Sequence, residues 1–86
     1  MNPQFAHYPT QAEIDEESRR ARRLRIVVSL TLDVISQGHL PYDEAMEMIA
    51  AARRVALQLF PEKGDTYDLI YAPKFARLMR EMYRIQ

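Results

Sequence analysis

Apolar residues recur with the period of a helix through the first half of the chain. No glycine or proline stands between Thr10 and Gly38, so this stretch predicts one helix of about 26 residues. Thr10 and Glu13 form a T-x-x-E capping box that fixes its start, and Gly38 suits the left-handed position just past its end. At about 100° per residue, most of its apolar side chains share one broad face. These are Ile14, Ala21, Leu24, Val27, Val28, Leu32, Val34 and Ile35.

Two apolar residues of this helix, Ile26 and Leu30, fall outside the broad face and almost close the apolar circle. A helix that is apolar nearly all round must be covered on more than one side. The two short helices predicted downstream leave part of this surface uncovered. We therefore expect a second subunit against the first helix, with Ile26 and Leu30 in the interface.

The same stretch also carries a competing strand pattern. Between residues 25 and 35 the chain is rich in β-branched residues, and alternate positions are apolar, which is typical of a strand. Against this, the upstream sequence is strongly helical and no other segment offers an obvious pairing partner. We favour the helix and keep the strand as the alternative.

A second helix is predicted from Tyr42 to Phe60, with Leu40 and Ala45 placed as a hydrophobic staple around its start. Alanines on its inner face would permit close approach to the first helix. Its apolar arc consists of Ala45, Met48, Ile49, Ala52, Val55, Ala56, Leu59 and Phe60.

A third helix should begin with Asp65 as its N-cap. Pro73 lacks an N–H and clashes with the carbonyl of Leu69, so this helix should kink or restart there. The fold class is therefore all-α: a small, self-associating three-helix bundle with up-down-up topology. Residues 1–9 form a tail and residues 10–86 a single helical domain. The inner face after Pro73 comprises Phe75, Leu78, Met79, Met82 and Ile85.

Length and charge exclude several classes of function for this chain. A chain of 86 residues and 10.1 kDa makes one small domain, and twelve basic residues balance twelve acidic ones. The balance argues against a nucleic-acid coat or a polybasic membrane anchor. The absence of cysteine excludes disulfides and thiol catalysis. Residues 1–8 lack the features of a signal peptide and no apolar run could span a bilayer, so we expect a cytoplasmic protein without membrane contact.

Metal and catalytic motifs are incomplete. Asp33, Gly38 and Glu44 occupy the first, sixth and twelfth positions of a calcium-type loop, but Ile35 and Pro41 stand where oxygen ligands are needed. Two histidines are too few for an ordinary zinc site, and two glycines cannot build a phosphate-binding loop. We expect no metal, no cofactor and no enzymatic activity.

The strongest charge feature is a run of five arginines between positions 19 and 25. Acidic residues one turn earlier should neutralise part of it, Asp15 with Arg19 and Glu16 with Arg20. The alternative function is a small dimeric nucleic-acid-binding transcriptional regulator that contacts phosphates through this segment. In its sharper form, residues 25–32 are a strand that pairs with its copy across a dimer. The contacting residues would be Arg19, Arg22, Arg23 and Arg25.

The tail carries two aromatic residues, Phe5 and Tyr8, between Pro3 and Pro9. A frayed terminus is the default interpretation, and an extended segment that docks on a partner or across a dimer is the alternative. The leading hypothesis is a non-enzymatic helical protein–protein interaction module: a small subunit, adaptor or regulator that binds itself, another protein or both. The predicted interface residues are Ile26, Leu30, Phe5 and Tyr8.

Overall fold

The computed structural model describes residues 8–84, which fold into three helices packed together. These are α1 (Gln11–Ser36), α2 (Tyr42–Leu59) and α3 (Gly64–Tyr83). The described part of the chain contains no strand, which confirms the all-α prediction. The strand alternative is wrong, because residues 25–35 lie inside α1.

Both ends of α1 form as the sequence predicts. The Thr10 hydroxyl accepts a hydrogen bond from the backbone N–H of Glu13 at 3.1 Å, and the Glu13 carboxylate accepts from the Thr10 N–H at 3.2 Å. This capping box satisfies two otherwise unpaired donors at the start of the helix. Beyond the C-terminal end, Gly38 has a φ of 77°, which glycine adopts without steric cost.

Two buried clusters, each with residues from all three helices, define the topology. The clusters run forward along α1 and α3 but backward along α2, so α2 is antiparallel to the other two helices. Alanines of α2 lie in both clusters, which lets the helices approach closely. The first cluster contains Val28, Ala52, Ala56, Tyr67 and Phe75, and the second contains Ile35, Ala45 and Met79.

The start of α3 differs from the prediction. Asp65 lies in the first turn and is not the N-cap, because the helix already begins at Gly64 with Lys63 before it. A side chain at position 64 would bring a Cβ within 3.1 Å of Leu57 Cδ2, so glycine allows this end of α3 to pack tightly against α2. The helix starts where the backbone can approach its neighbour.

Pro73 lies inside α3, which is one helix from Gly64 to Tyr83. The predicted restart at Pro73 is therefore wrong, whereas a kink there stays a prediction. Tyr67 before the proline and Phe75 after it belong to the same buried cluster. This shared packing holds both halves of α3 against the other helices despite the hydrogen bond that proline removes.

An ion pair joins α2 to α3. Arg53 Nε and a terminal nitrogen of Arg53 donate to the two carboxylate oxygens of Asp68 at 2.8 and 2.9 Å. This two-point contact holds the pKa of the Asp68 carboxyl below its ordinary value, first through the hydrogen bond and then through the charge of Arg53. The pair links the two helices at their partly exposed edge.

The first turns of α1 extend beyond the other two helices. Every residue from Gln11 to Arg19 is exposed, whereas the buried residues of α1 are Val28, Thr31 and Ile35. At 1.5 Å per residue, the exposed stretch is about 13 Å long. The N-terminal part of α1 is therefore a projecting arm with no covering helix within the described residues.

Candidate protein-interaction surfaces

Ile26 and Leu30 lie on the side of α1 that points away from the bundle. Ile26 is 49% exposed and Leu30 is 58% exposed, while Val28 between them is only 4% exposed. Together with Arg22, Arg25 and Ser29 they line a shallow hollow. We call these five residues the outer face.

The helical period explains this placement. Ile26 and Leu30 stand two residues before and two after Val28, which is about 200° around the helix in either direction. Because Val28 packs in the core, both neighbours must face outward. The sequence prediction that these two residues fall outside the main apolar face is confirmed.

Part of the arginine run is paired within α1. Glu16 accepts a hydrogen bond from Arg19 at 2.9 Å and lies 3.6 Å from a terminal nitrogen of Arg20. The hydrogen bond and charge of Arg19 lower the pKa of Glu16. The predicted pair of Asp15 with Arg19 is wrong, because Arg19 turns to Glu16 and Asp15 accepts instead from the side chain of Gln11 at 2.9 Å.

The remaining arginines differ in their surroundings. The guanidinium carbon of Arg20 lies 5.7 Å from the ring centre of Phe60, so this side chain packs against the end of α2. Arg22, Arg23 and Arg25 are exposed, and none forms a hydrogen bond or an ion pair with another described residue. The outer face thus combines two apolar side chains with the positive charges of Arg22 and Arg25 toward its N-terminal end.

A second surface was not identified from the sequence. The residues of α1 that face the core follow a three-four spacing, and this spacing continues into the projecting arm as Ile14, Glu17, Ala21 and Leu24. We call these four residues the α1 seam. Ile14 is 45% exposed although it lies on the same side of the helix as the buried residues. The heptad spacing in the sequence is the signal that could have revealed this surface.

A groove of about 220 Å³ lies between α1 and α3 beside the seam. Its lining includes Ala21 and Leu24 from α1 and Ile70 and Tyr71 from α3. Ile70 is 47% exposed at the edge of the groove. The groove is the continuation of the bundle core toward the projecting arm, where no helix of the described chain closes it.

Tyr67 forms part of the groove wall. It is 6% exposed, and its hydroxyl has no hydrogen-bond partner among residues 8–84. Burial raises the pKa of this phenol, and the nearby charge of Asp68 raises it further. The ring contributes to the first core cluster, so packing explains its position.

The tail residues are not brought to the outer face. Tyr8 is 81% exposed and precedes α1. The start of α1 is itself about 22 Å along the helix axis from Ile26. Phe5 lies outside the described residues. A role for either residue in an interface stays a prediction.

The described residues contain no group of three or more side chains that could hold a metal ion. None of their helices is long and apolar enough to cross a membrane. Comparison with known proteins gives no match to a family model, a curated protein or a solved structure. The surfaces of the described residues are therefore the features that indicate a function.

Proposed function

We propose that this chain is a non-enzymatic helical protein-interaction module, a small subunit, adaptor or regulator, whose outer face binds an amphipathic helix of another protein. The supporting observation is the exposure of Ile26 and Leu30 on α1, with Arg22 and Arg25 beside them in the same hollow. Two apolar anchors four residues apart are the spacing by which helices dock on helical surfaces.

The energetics indicate that the arginines must contribute. Fully burying an isoleucine or leucine stabilises by about 1.5–3 kcal/mol relative to full exposure, and these two side chains are already half buried. The remaining gain is too small for stable binding by itself. Arginine forms two-point hydrogen bonds with carboxylates, so Arg22 and Arg25 favour a partner helix that carries acidic residues beside its apolar stripe.

A second copy of the chain fits the outer face poorly. Pairing two outer faces would bring the arginines of both copies together, and like charges across an interface are unfavourable. Asp33 is the acidic residue nearest to Leu30 toward the end of α1, and one carboxylate does not balance Arg22, Arg23 and Arg25. The charge pattern therefore favours a different, acidic protein as the occupant.

The test is affinity purification from native cells, followed by identification of the bound proteins and reconstitution with the purified candidate. The variant Ile26→Glu with Leu30→Glu should lose the partner, and calorimetry should show the same loss with purified components. Leu69→Glu is the control, because Leu69 is 79% exposed on α3 and lies outside the outer face. If every bound protein is retained by the double variant, the proposal is wrong.

The alternative is a nucleic-acid-binding regulator, and one observation favours it. Arg22, Arg23 and Arg25 are exposed without ion pairs to described residues, so they can contact phosphates. A gel shift that disappears with added salt and with Arg22→Ala plus Arg23→Ala would support this function. Absence of binding to any duplex or single strand at low salt would exclude it. The form in which residues 25–32 pair as a strand is no longer available, because they are helical.

A further inference from the structure

We infer that the partner helix of the outer face is bipolar: acidic in one turn, apolar in the middle and basic in the turn that follows. Its acidic turn lies over Arg22 and Arg25, and its basic turn lies over Asp33. Between them, its apolar residues pack on Ile26 and Leu30. The inference rests on the proposed function and deepens it, because it gives the order of charges along the partner.

Asp33 lies on the same side of α1 as the outer face. It follows Ile26 by seven residues, which is almost two full turns of the helix, and its side chain is exposed. Arg22 precedes Ile26 by four residues, so it lies close to the same line along α1. The outward side of α1 therefore presents arginine, two apolar residues and aspartate in that order.

The C-terminal end of α1 is negative for a second reason. A helix carries a partial charge of about −0.5 at its C-terminus, and basic side chains in the last turn offset it. The last turn of α1 has no basic residue. The Asp33 carboxylate forms no hydrogen bond or ion pair with another described residue, so its charge adds to that of the helix end.

The two charged ends of the outward side are far enough apart to act separately. Arg22 and Asp33 are about 17 Å apart along the helix axis, whereas exposed charges are screened beyond about 8 Å at physiological ionic strength. A uniformly acidic helix would be attracted at the arginines and repelled at Asp33. A bipolar helix is attracted at both ends, and this difference selects it as the occupant.

The apolar contacts alone do not set the direction of the partner helix. Ile26 and Leu30 are about half exposed and four residues apart, so an apolar stripe can pack on them with either end of the partner first. Reversing a bipolar helix would place its acidic turn over Asp33 and its basic turn over the arginines, which is unfavourable at both ends. The charges therefore fix which end of the partner lies at each end of the outer face.

Two synthetic helical peptides test the charge order. Both carry two leucines four residues apart; the bipolar peptide has glutamates one turn before them and lysines one turn after, and the acidic peptide has glutamates in both turns. By calorimetry, wild type should bind the bipolar peptide severalfold more tightly, and Asp33→Lys should reverse this preference. Glu62→Lys is the matched control, because it makes the same charge change at an exposed residue between α2 and α3 and should keep the wild-type preference.

Equal affinities of wild type for the two peptides, or a preference that Asp33→Lys does not change, would overturn the inference. The proposed function would stand in that case, provided that Ile26→Glu with Leu30→Glu abolishes the binding of both peptides. Binding of neither peptide also overturns the inference, and the experiment with native partners then decides the proposed function by itself.

Disulfide trapping tests the direction of the bound peptide, because the chain contains no cysteine. Gln37→Cys places a thiol at the exposed C-cap of α1, about two turns beyond Leu30. The bipolar peptide should form a disulfide with this variant when its own cysteine is at the basic end, and not when it is at the acidic end. Trapping through the acidic end, or equally through both ends, overturns the inference.

Discussion

Gly38 shows how one residue fixes the turn between α1 and α2. Its φ of 77° lies in the left-handed region, where a side chain clashes with its own backbone. A Cβ there would also come within 3.3 Å of Met82 Cε, at the packed end of α3. Glycine is thus required for the backbone conformation and favoured by the packing.

Gly38→Ala should lower the free energy of unfolding by about 1–2 kcal/mol, the cost of the left-handed conformation for a residue with a side chain. Urea denaturation followed by circular dichroism measures the change. Gly38→Asn should cost less, because asparagine tolerates this conformation better. Gln37→Ala, at an exposed neighbour with φ −68°, should leave stability nearly unchanged. Equal losses in all three variants would contradict the explanation.

Tyr83 ties the end of α3 to the same turn through its hydroxyl, which donates to the Leu40 carbonyl at 2.7 Å. Tyr83→Phe should lower the free energy of unfolding by about 1 kcal/mol, since it leaves a partly buried carbonyl without its donor. Tyr42→Phe is the control in the same urea experiment, because the Tyr42 hydroxyl has no hydrogen bond to a described residue. A larger loss from the control would show that ring packing, not the hydrogen bond, matters.

At the scale of single residues, the sequence predicts the geometry of those residues that depend on near neighbours in the chain. Thr10, Glu13 and Gly38 act through local backbone bonds and conformation, and all three predictions are confirmed. Burial of Thr31 and Tyr67 depends on what α2 and α3 place against them. Thr31 tolerates burial because its hydroxyl donates to the Val27 carbonyl at 2.8 Å, which no periodicity of apolar residues reveals.

Between elements, the pair of Arg53 and Asp68 makes stability depend on pH. The folded-state pKa of Asp68 is lowered, so its contribution is fully present above the ordinary value of 3.8 and is lost as pH falls through the lowered value. Wild type should therefore lose stability in acid more steeply than Asp68→Asn. Urea midpoints from neutral to strongly acidic pH measure this difference.

The control for this prediction is Glu81→Gln, which removes a pair formed within α3 by Arg77 and Glu81. Both side chains of that pair are more exposed than Arg53 and Asp68, so solvent screens it more strongly. A difference between wild type and Asp68→Asn that stays constant with pH would show that the variant acts through packing instead of charge.

The sequence predicts where the helices lie more accurately than it predicts the start of α3. The predicted spans of α1 and α2 agree with the structure to within a residue, because glycines, prolines and caps bound them. The start of α3 depends on the contact of Gly64 with Leu57, which lies in another helix. Continuity through Pro73 likewise depends on the core formed by Tyr67 and Phe75.

For the whole molecule, the sequence alone overestimates how much of the apolar face of α1 the other two helices cover. It places Ile26 and Leu30 outside the core, as the structure does, but it counts Ile14 among the residues that the bundle covers. The length of α2 and α3 decides this, since they end before the projecting arm. Two uncovered surfaces result: the outer face, and the exposed part of the α1 seam at Ile14.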